Sequence, residues 1–264
     1  MPFHQTDLVR YYTFESLADA GVRHAVITRR GGVSPAPWAS LNVGGTVGDD
    51  AERVLENRKR SFHALGRPLV SLYDVWQVHG IDVVCAQTPR SPGSPHLKAD
   101  TILTNQIGVT LFMRFADCVP IFLFDPKQRA IGLVHAGWLG TVQFNAARAV
   151  QTMQDQYGTR PQDILAGVGP SIGPHHYPVG PEVVQRVRKA FGSDSSELLH
   201  SPNGGDPESE VQFDLWSANS LVLQQAGVHR IEVSGICTAC DLDNWYSHRG
   251  EKGRTGRFGA LVAL

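Results

Sequence analysis

Between residues 75 and 135 the chain alternates dense apolar runs with short polar breaks: WQVHGIDVVCA, ADTILT, VTLFMRF, VPIFLFD and AIGLVHA, rich in Val, Ile, Leu and Phe. Runs of that length and composition predict strands, and their succession predicts a sheet core. An earlier run, VRHAVIT at 22–28, predicts a further strand. Helical spacing takes over elsewhere. Asp49 and Asp50 stand where a cap belongs, Val54, Leu55, Phe62 and Leu65 recur at helical intervals, and Gly66 ends the pattern. A second helix is predicted from the strand-to-helix turn at 136–141 through about Tyr157, with Val142, Ala146, Val150 and Met153 on one face and Gly158 as its stop. Downstream, ILAGVGPSIG reads as strand and loop, 181–191 as a helix opened by Pro181, 214–226 as a helix capped by Asp214, and RIEVSGIC as a strand.

Two segments interrupt this pattern. The Gly, Pro and Ser-rich RRGGVSPAPWASLNVGG is long enough to be a functional loop, whereas the polar 193–210 segment predicts a mobile surface loop without chemistry. No shift in composition marks a linker, so residues 1–264 read as one domain. Hydrophobic residues at 42% against 19% charged support a large core without metal or disulfide, which leaves any metal free for function. Lys plus Arg number 24 and Asp plus Glu 25, with no run of like charge, so neither nucleic acid nor an anionic membrane is an expected partner. The opening MPFHQTDLVRYYTFESL has no basic segment leading into an apolar one, and no stretch approaches the roughly 20 apolar residues of a span. Four cysteines are too few for a disulfide scaffold and fit a reducing compartment; the cytoplasm is the expected location.

Three residues with metal-ligand chemistry fall in or beside the strand-like runs: His79 in QVHG, Cys118 in ADCVP and His135 in HAGW. They are too far apart in sequence for a local finger, so only the fold can assemble them. Two imidazoles and one thiolate are an established catalytic zinc set with a fourth position left open, although buried cysteines and hydrogen-bonded histidines of no shared function give the same pattern. Cys118 with His135 as base is also a possible thiol catalytic pair. Cys237 and Cys240 form CTAC, but with no second C-x-x-C and no nearby His pair a structural zinc is not expected there, and DLDNWYSHRG is too poor a helix for a thioredoxin-type role. His175 and His176, in a Gly-rich stretch without a phosphate-loop pattern, read as surface or hydrogen-bonded residues. No G-x-S-x-G elbow is present. Arg29, Arg30, Arg58, Arg249, Arg254 and Arg257 lie near Gly or polar loops and are candidates to bind phosphate, although each alone reads as a solvated charge.

Taken together, TRRGGVSPAPWASLNVGGTVGDD, ENR at 56–58, QVHG, ADCVP, HAGW, GVGPSIG and the CT at 237–238 resemble the YfiH-like laccase-domain family of purine nucleoside phosphorylases, over nearly the whole chain. The resemblance implies an α+β fold in which mixed β-sheets form a sandwich flanked by helices. It implies that His79, Cys118 and His135 are the metal-binding and catalytic trio, holding a single Zn2+, with Cu2+ as the alternative ion. The implied reactions are phosphorolysis of adenosine, inosine, guanosine and methylthioadenosine, and deamination of adenosine, so the expected partners are a purine nucleoside and phosphate. Asp117 is the nearest candidate to move a proton, and Arg29, Asn42 and Arg58 are the substrate-binding candidates, the arginines as phosphate cations. The sequence departs from the family pattern where Leu139 replaces the usual Arg after HAGW, and where His248, Arg249 and Gly250 replace an aromatic residue and paired Arg after YS. Three other readings compete: a copper-dependent polyphenol oxidase, disfavoured because no H-x-H occurs; a closed zinc module without activity, which would need a fourth ligand; and a Cys118-dependent hydrolase editing peptidoglycan precursors.

Overall fold

In the computed structural model, which describes residues 2–201 and 211–264, the apolar runs pair into two six-stranded sheets. A hairpin of β1 (Phe3–Thr6) and β2 (Val9–Tyr12) leads through α1 (Glu15–Asp19) to β3 (Arg23–Ile27) and α2 (Ala51–Ala64). Six strands follow: β4 (Leu72–Tyr73), β5 (Val83–Cys85), β6 (Thr101–Thr104), β7 (Thr110–Phe115), β8 (Val119–Asp125) and β9 (Ala130–Ala136). Then come α3 (Trp138–Val142), α4 (Asn145–Tyr157), β10 (Leu165–Val168), α5 (Pro181–Phe191) and α6 (Ser195–Leu198). The short pair β11 (Leu199–His200) and β12 (Gln212–Phe213), α7 (Leu215–Gln225), β13 (Arg230–Val233) and β14 (Phe258–Ala263) complete the order. One sheet runs β1-β2-β3-β14-β7-β4 and the other β13-β10-β8-β9-β6-β5, each mixing parallel and antiparallel pairs.

Side-chain alternation explains the layering. In β8, Phe122 and Phe124 enter the core between the sheets, while Ile121 and Leu123 face a second core shared with α4, α5 and α7. In β7, Leu111, Met113 and Phe115 meet Phe122, Ile131 and Leu133 across the sandwich, and Phe112 turns outward onto Phe62 of α2. Burial on both faces is why these strands read as continuous apolar runs. The result is an α+β sandwich flanked by helices, as the sequence leads one to expect. Among the described residues, no helix is long and apolar enough to cross a membrane.

Several local expectations change. Phe144 takes a left-handed conformation (φ 59°) and splits the helix expected through Tyr157 into α3 and α4. Leu55 is 47% exposed, and α2 instead turns Asn57 and Ser61 inward with Val54 and Phe62. That polar choice has a purpose: the Asn57 amide donates to Ser34 and to the Asn42 carbonyl and accepts from the Val33 N–H, fastening the long Gly/Pro/Ser-rich loop to the helix. WQVHG is a loop with one isolated pairing, Trp76 to Lys98, because its chain must turn at His79 rather than extend. Strands β1, β2 and β14 had no counterpart in the sequence reading. Part of the polar 193–210 segment is ordered as α6 and β11, and its residues 202–210 lie outside the described ones.

One buried group ties the sandwich to pH. His24 accepts a 2.7 Å hydrogen bond from the Phe14 N–H at Nε2 and donates from Nδ1 to the Val22 carbonyl, which requires the neutral ring. Burial pushes its pKa down from 6.5 to about 4. Because the folded pKa lies below the unfolded one, this contribution is complete above about pH 6.5 and is lost as pH falls toward 4. The gap corresponds to about 3 kcal/mol. Urea unfolding from pH 7.5 to 4 is expected to show that loss, and His24→Gln, which keeps a neutral acceptor, should flatten the profile. An unchanged slope in the variant would remove His24 from the account.

Candidate functional site

The sandwich delivers three donors to one place. His135 lies near the end of β9, paired with Pro120 of β8, so the start of β8 and the end of β9 bring it beside Cys118. His79 arrives on the loop ahead of β5. The three ligand atoms lie within 4.8 Å of one another, with His135 buried, Cys118 half-buried and His79 exposed toward the open side. The His79 and His135 rings stand 4.9 Å apart and nearly perpendicular, and the Phe115 ring closes the far side of His135 at 5.3 Å. Gly137 of HAGW is required by crowding: a Cβ there would come within 3.0 Å of Cys118 Sγ and 3.3 Å of the His79 ring.

Backbone strain and one carboxylate hold the trio. His79 and Asp117 both adopt positive φ, 60° and 83°, which places side chains rarely found there on either side of the site. Asp100 Oδ1 accepts the His135 Nδ1–H at 2.7 Å, which leaves Nε2 to face the site. Its Oδ2 accepts the N–H groups of Val78 at 3.0 Å and Gly80 at 2.7 Å, on either side of His79. A single buried carboxylate therefore orients one imidazole and pins the loop that carries the other. The sequence reading missed Asp100; its only signal is an acidic residue at the head of the apolar ADTILT run.

The electrostatics follow from this arrangement. Burial alone would push the Cys118 thiol up, but the charge of His135 and hydrogen bonds from His135 and His79 outweigh it and bring it from 9.0 down to about 6. Burial would push His135 down, yet the Cys118 charge and the Asp100 hydrogen bond raise it to about 9. Burial pulls Asp100 up less than the His135 hydrogen bond and charge pull it down. Cys118 is thus a ready thiolate. Two imidazoles and a thiolate on three separate segments fit a borderline-soft ion such as zinc with one coordination position left for another ligand, and the Asp100–His135 pair is the carboxylate–histidine support that such a ligand takes.

The remaining candidates fall in distinct places. Asp117 adjoins Cys118, and its oxygens accept from the Thr238 hydroxyl and the Arg249 N–H, both at 2.7 Å. Arg29 is committed elsewhere, bonding Glu251 and the carbonyls of Ala39 and Leu242 while lying over the Tyr246 ring. Arg58 is spent in part on the Val43 carbonyl and the face of Phe112. Asn42 is fully buried: its amide donates to Gly44 and Asp49 and its oxygen accepts from the N–H groups of Gly44 and Arg257, which makes it a fastener of the Arg257 backbone rather than a group facing a ligand. Leu139 is half-buried in the first turn of α3. Two further residues are tied electrostatically to Cys118: Arg257, already among the candidate arginines, and Tyr177. Burial pushes the Arg257 guanidinium down while the charges of Cys118 and Asp117 hold it up, and its Nη1 donates to the carbonyls of Thr255 and Gly256. Tyr177 lies under Arg249 and is pushed up by burial and by the Cys118 charge. Tyr177 has no mark in the sequence because it lies far from the trio along the chain.

The chain is similar to known proteins over nearly its whole length. The model of the family described as multi-copper polyphenol oxidoreductase laccase matches residues 23–264. A purine nucleoside phosphorylase of Deinococcus radiodurans is 40% identical, over 92% of this chain and 89% of its own length. The purine nucleoside phosphorylase YfiH of Escherichia coli is 31% identical, over 92% and 94%. The crystal structure of YlmD from Geobacillus stearothermophilus superposes with a TM-score of 0.91 at 35% identity, covering 99% of this chain and 98% of that one. The chain belongs to the YfiH-like laccase-domain family.

Proposed function

We propose that this chain is a zinc-dependent purine nucleoside phosphorylase, acting on adenosine, inosine, guanosine and methylthioadenosine, that also deaminates adenosine. The observation that carries the reading is the convergence of His79, Cys118 and His135 on one point with Asp100 behind them. The names of its relatives supply the substrate class. The copper-oxidase reading is less favoured, since a multicopper centre needs imidazole-rich segments shared between ions and this trio offers three donors.

When bound by the trio, zinc supplies a Lewis acid at the floor of the site. The chain's own residues do the rest. In phosphorolysis a phosphate oxygen forms a bond to the ribose anomeric carbon while the bond to the purine nitrogen breaks, and the base leaves with that electron pair and takes up a proton. We assign Arg257 to hold the phosphate, because the charges of Cys118 and Asp117 act on it, and Asp117 to pass a proton at the side of Cys118. In deamination, water adds at the purine carbon bearing the amino group and ammonia departs, with Asp117 again handling the proton. Val78 and Ile81, exposed beside His79, offer apolar surface to a purine face.

Chromatography of products from metal-defined enzyme and adenosine tests both reactions. Adenine with ribose 1-phosphate is expected only when phosphate is supplied, and inosine with or without it. Release of free ribose in the absence of phosphate would replace phosphorolysis by hydrolysis.

A second reading has its own observation. Cys118, His135 and Asp100 form a thiol–imidazole–carboxylate chain, which without metal suits a nucleophilic hydrolase acting on peptidoglycan precursors. Iodoacetamide separates the two. A ligand cysteine is protected by zinc, whereas a nucleophile is alkylated and inactivated in the zinc-loaded enzyme.

A further inference from the structure

A second donor cluster lies outside the site just described. The turn that follows Gly173 carries His175 and His176, and the turn that follows β13 carries Cys237 and Cys240. Their ligand atoms all lie within 4.8 Å of one another, although the two turns are more than 60 residues apart in sequence. The expectation that CTAC stands without a His pair is therefore corrected. The pair is supplied by the fold, through the pairing of Ser171 with Cys237 that runs the two segments side by side, with the Ser171 N–H donating to the Ile236 carbonyl and the Thr238 N–H to the Ser171 carbonyl.

We infer that His175, His176, Cys237 and Cys240 form a closed, four-coordinate zinc site that clips these two turns together. Bond lengths of about 2.3 Å to sulfur and 2.0–2.1 Å to nitrogen place the donors of a tetrahedral site about 3.6 Å apart. The nitrogen–sulfur separations are 3.0 Å from His175 Nε2 to Cys240, 3.5 Å from His176 Nδ1 to Cys240 and 3.6 Å from His176 Nδ1 to Cys237. One imidazole nitrogen equidistant from two thiols is what shared coordination produces, and a single hydrogen bond does not call for it. Neither cysteine is in a disulfide. The surroundings are built for the cluster as well. The Gly173 N–H donates to Cys237 Sγ at 3.2 Å, the kind of support a thiolate ligand takes. A Cβ at Gly173 would lie 2.7 Å from the His175 ring and 3.2 Å from Cys237 Cβ, so this backbone reaches the sulfur only as glycine.

A full set of four protein donors leaves no position for substrate, so this zinc is structural, in contrast to the open trio. Its position gives it a role at the other site. Thr238, within the CTAC turn, donates its hydroxyl to Asp117, and the Ile172 N–H, just ahead of Gly173, donates to the Asp117 carbonyl. Closing the clip holds two of the three partners of Asp117, the strained neighbour of Cys118, in place; the third is the Arg249 N–H.

Metal stoichiometry tests the inference without reference to activity. Protein purified under reducing conditions and equilibrated with zinc is expected to hold about two equivalents per chain. His175→Ala with Cys240→Ser should lower this to about one, and both residues are exposed, so circular dichroism should show an intact fold. His79→Ala with Cys118→Ala should also leave about one. Cobalt loaded into that second variant should then give the intense visible bands of a tetrahedral ion and thiolate charge transfer. Failure of the trio alone would leave this cobalt spectrum unchanged, which separates the two hypotheses. Zinc content unaltered by the His175 and Cys240 changes, absence of the cobalt signature, or a Cys237–Cys240 disulfide persisting in the reduced, zinc-equilibrated protein would each overturn the site.

Discussion

Cys118→Ala is expected to lower nucleoside turnover by about a thousand-fold or more and to remove one zinc from the protein, with the fold retained. The magnitude follows from loss of a charged ligand and of the electrostatic stabilisation the bound ion gives the reacting group. Cys118 is the informative choice among the three. His135→Ala should also abolish activity, but it leaves Asp100 buried and charged without its partner, and breaking such a pair costs about 3–5 kcal/mol, so inactivity would mix chemistry with unfolding. His79→Ala touches an exposed side chain and makes the cleaner companion. Steady-state kinetics, metal analysis and thermal melting on Cys118→Ala and His79→Ala decide the matter: full zinc content with retained turnover in either variant would remove the trio from the mechanism.

The three members of the trio stood out as candidates because each sits at the edge of an apolar run, but it was the resemblance of QVHG, ADCVP and HAGW to the family's motifs that singled them out as a metal-binding set. The sheet core was legible from those runs, since β7, β8 and β9 are largely buried on both faces and read as hydrophobic stretches, whereas their arrangement as a sandwich followed from the family resemblance. What stayed hidden depends on contacts between distant segments. Arg29 looked like a phosphate cation beside a glycine-rich loop, yet Glu251, more than 200 residues away, neutralises it. Asn42 looked available and is walled in by Asp49 and the Arg257 backbone. Arg257, near the carboxyl end, was one of six candidate arginines, and nothing local set it apart from the others. The CTAC turn misled for a related reason: spacing rules for zinc look for the second ligand pair in a similar local motif, and here it comes from an adjacent His–His on another turn. Phe144 was missed because left-handed backbone at an aromatic residue has no sequence signature.

Asp100→Asn is expected to weaken zinc binding at the trio by about 10- to 100-fold and to lower turnover in proportion. The reasoning rests on the number of donors this side chain faces. Asp100 accepts from the His135 ring through one oxygen and from the Val78 and Gly80 N–H groups through the other. Asparagine keeps one acceptor oxygen and presents N–H on the other side. If the oxygen stays with His135, the amide donors meet the N–H groups beside His79 and push that loop away; if it turns to the loop, the His135 ring loses its orientation. Either arrangement displaces one imidazole, and no amide rotamer serves both. The negative charge is lost as well, so the pull that raises His135 toward about 9 weakens and its pKa should fall. A part played only in folding would move neither quantity once melting shows the variant to be folded. Zinc affinity by competition with a chelator and the His135 titration in the zinc-free protein, followed by nuclear magnetic resonance, are therefore the deciding measurements. Wild-type values of both in a folded Asp100→Asn protein would mean that the carboxylate does not position the trio.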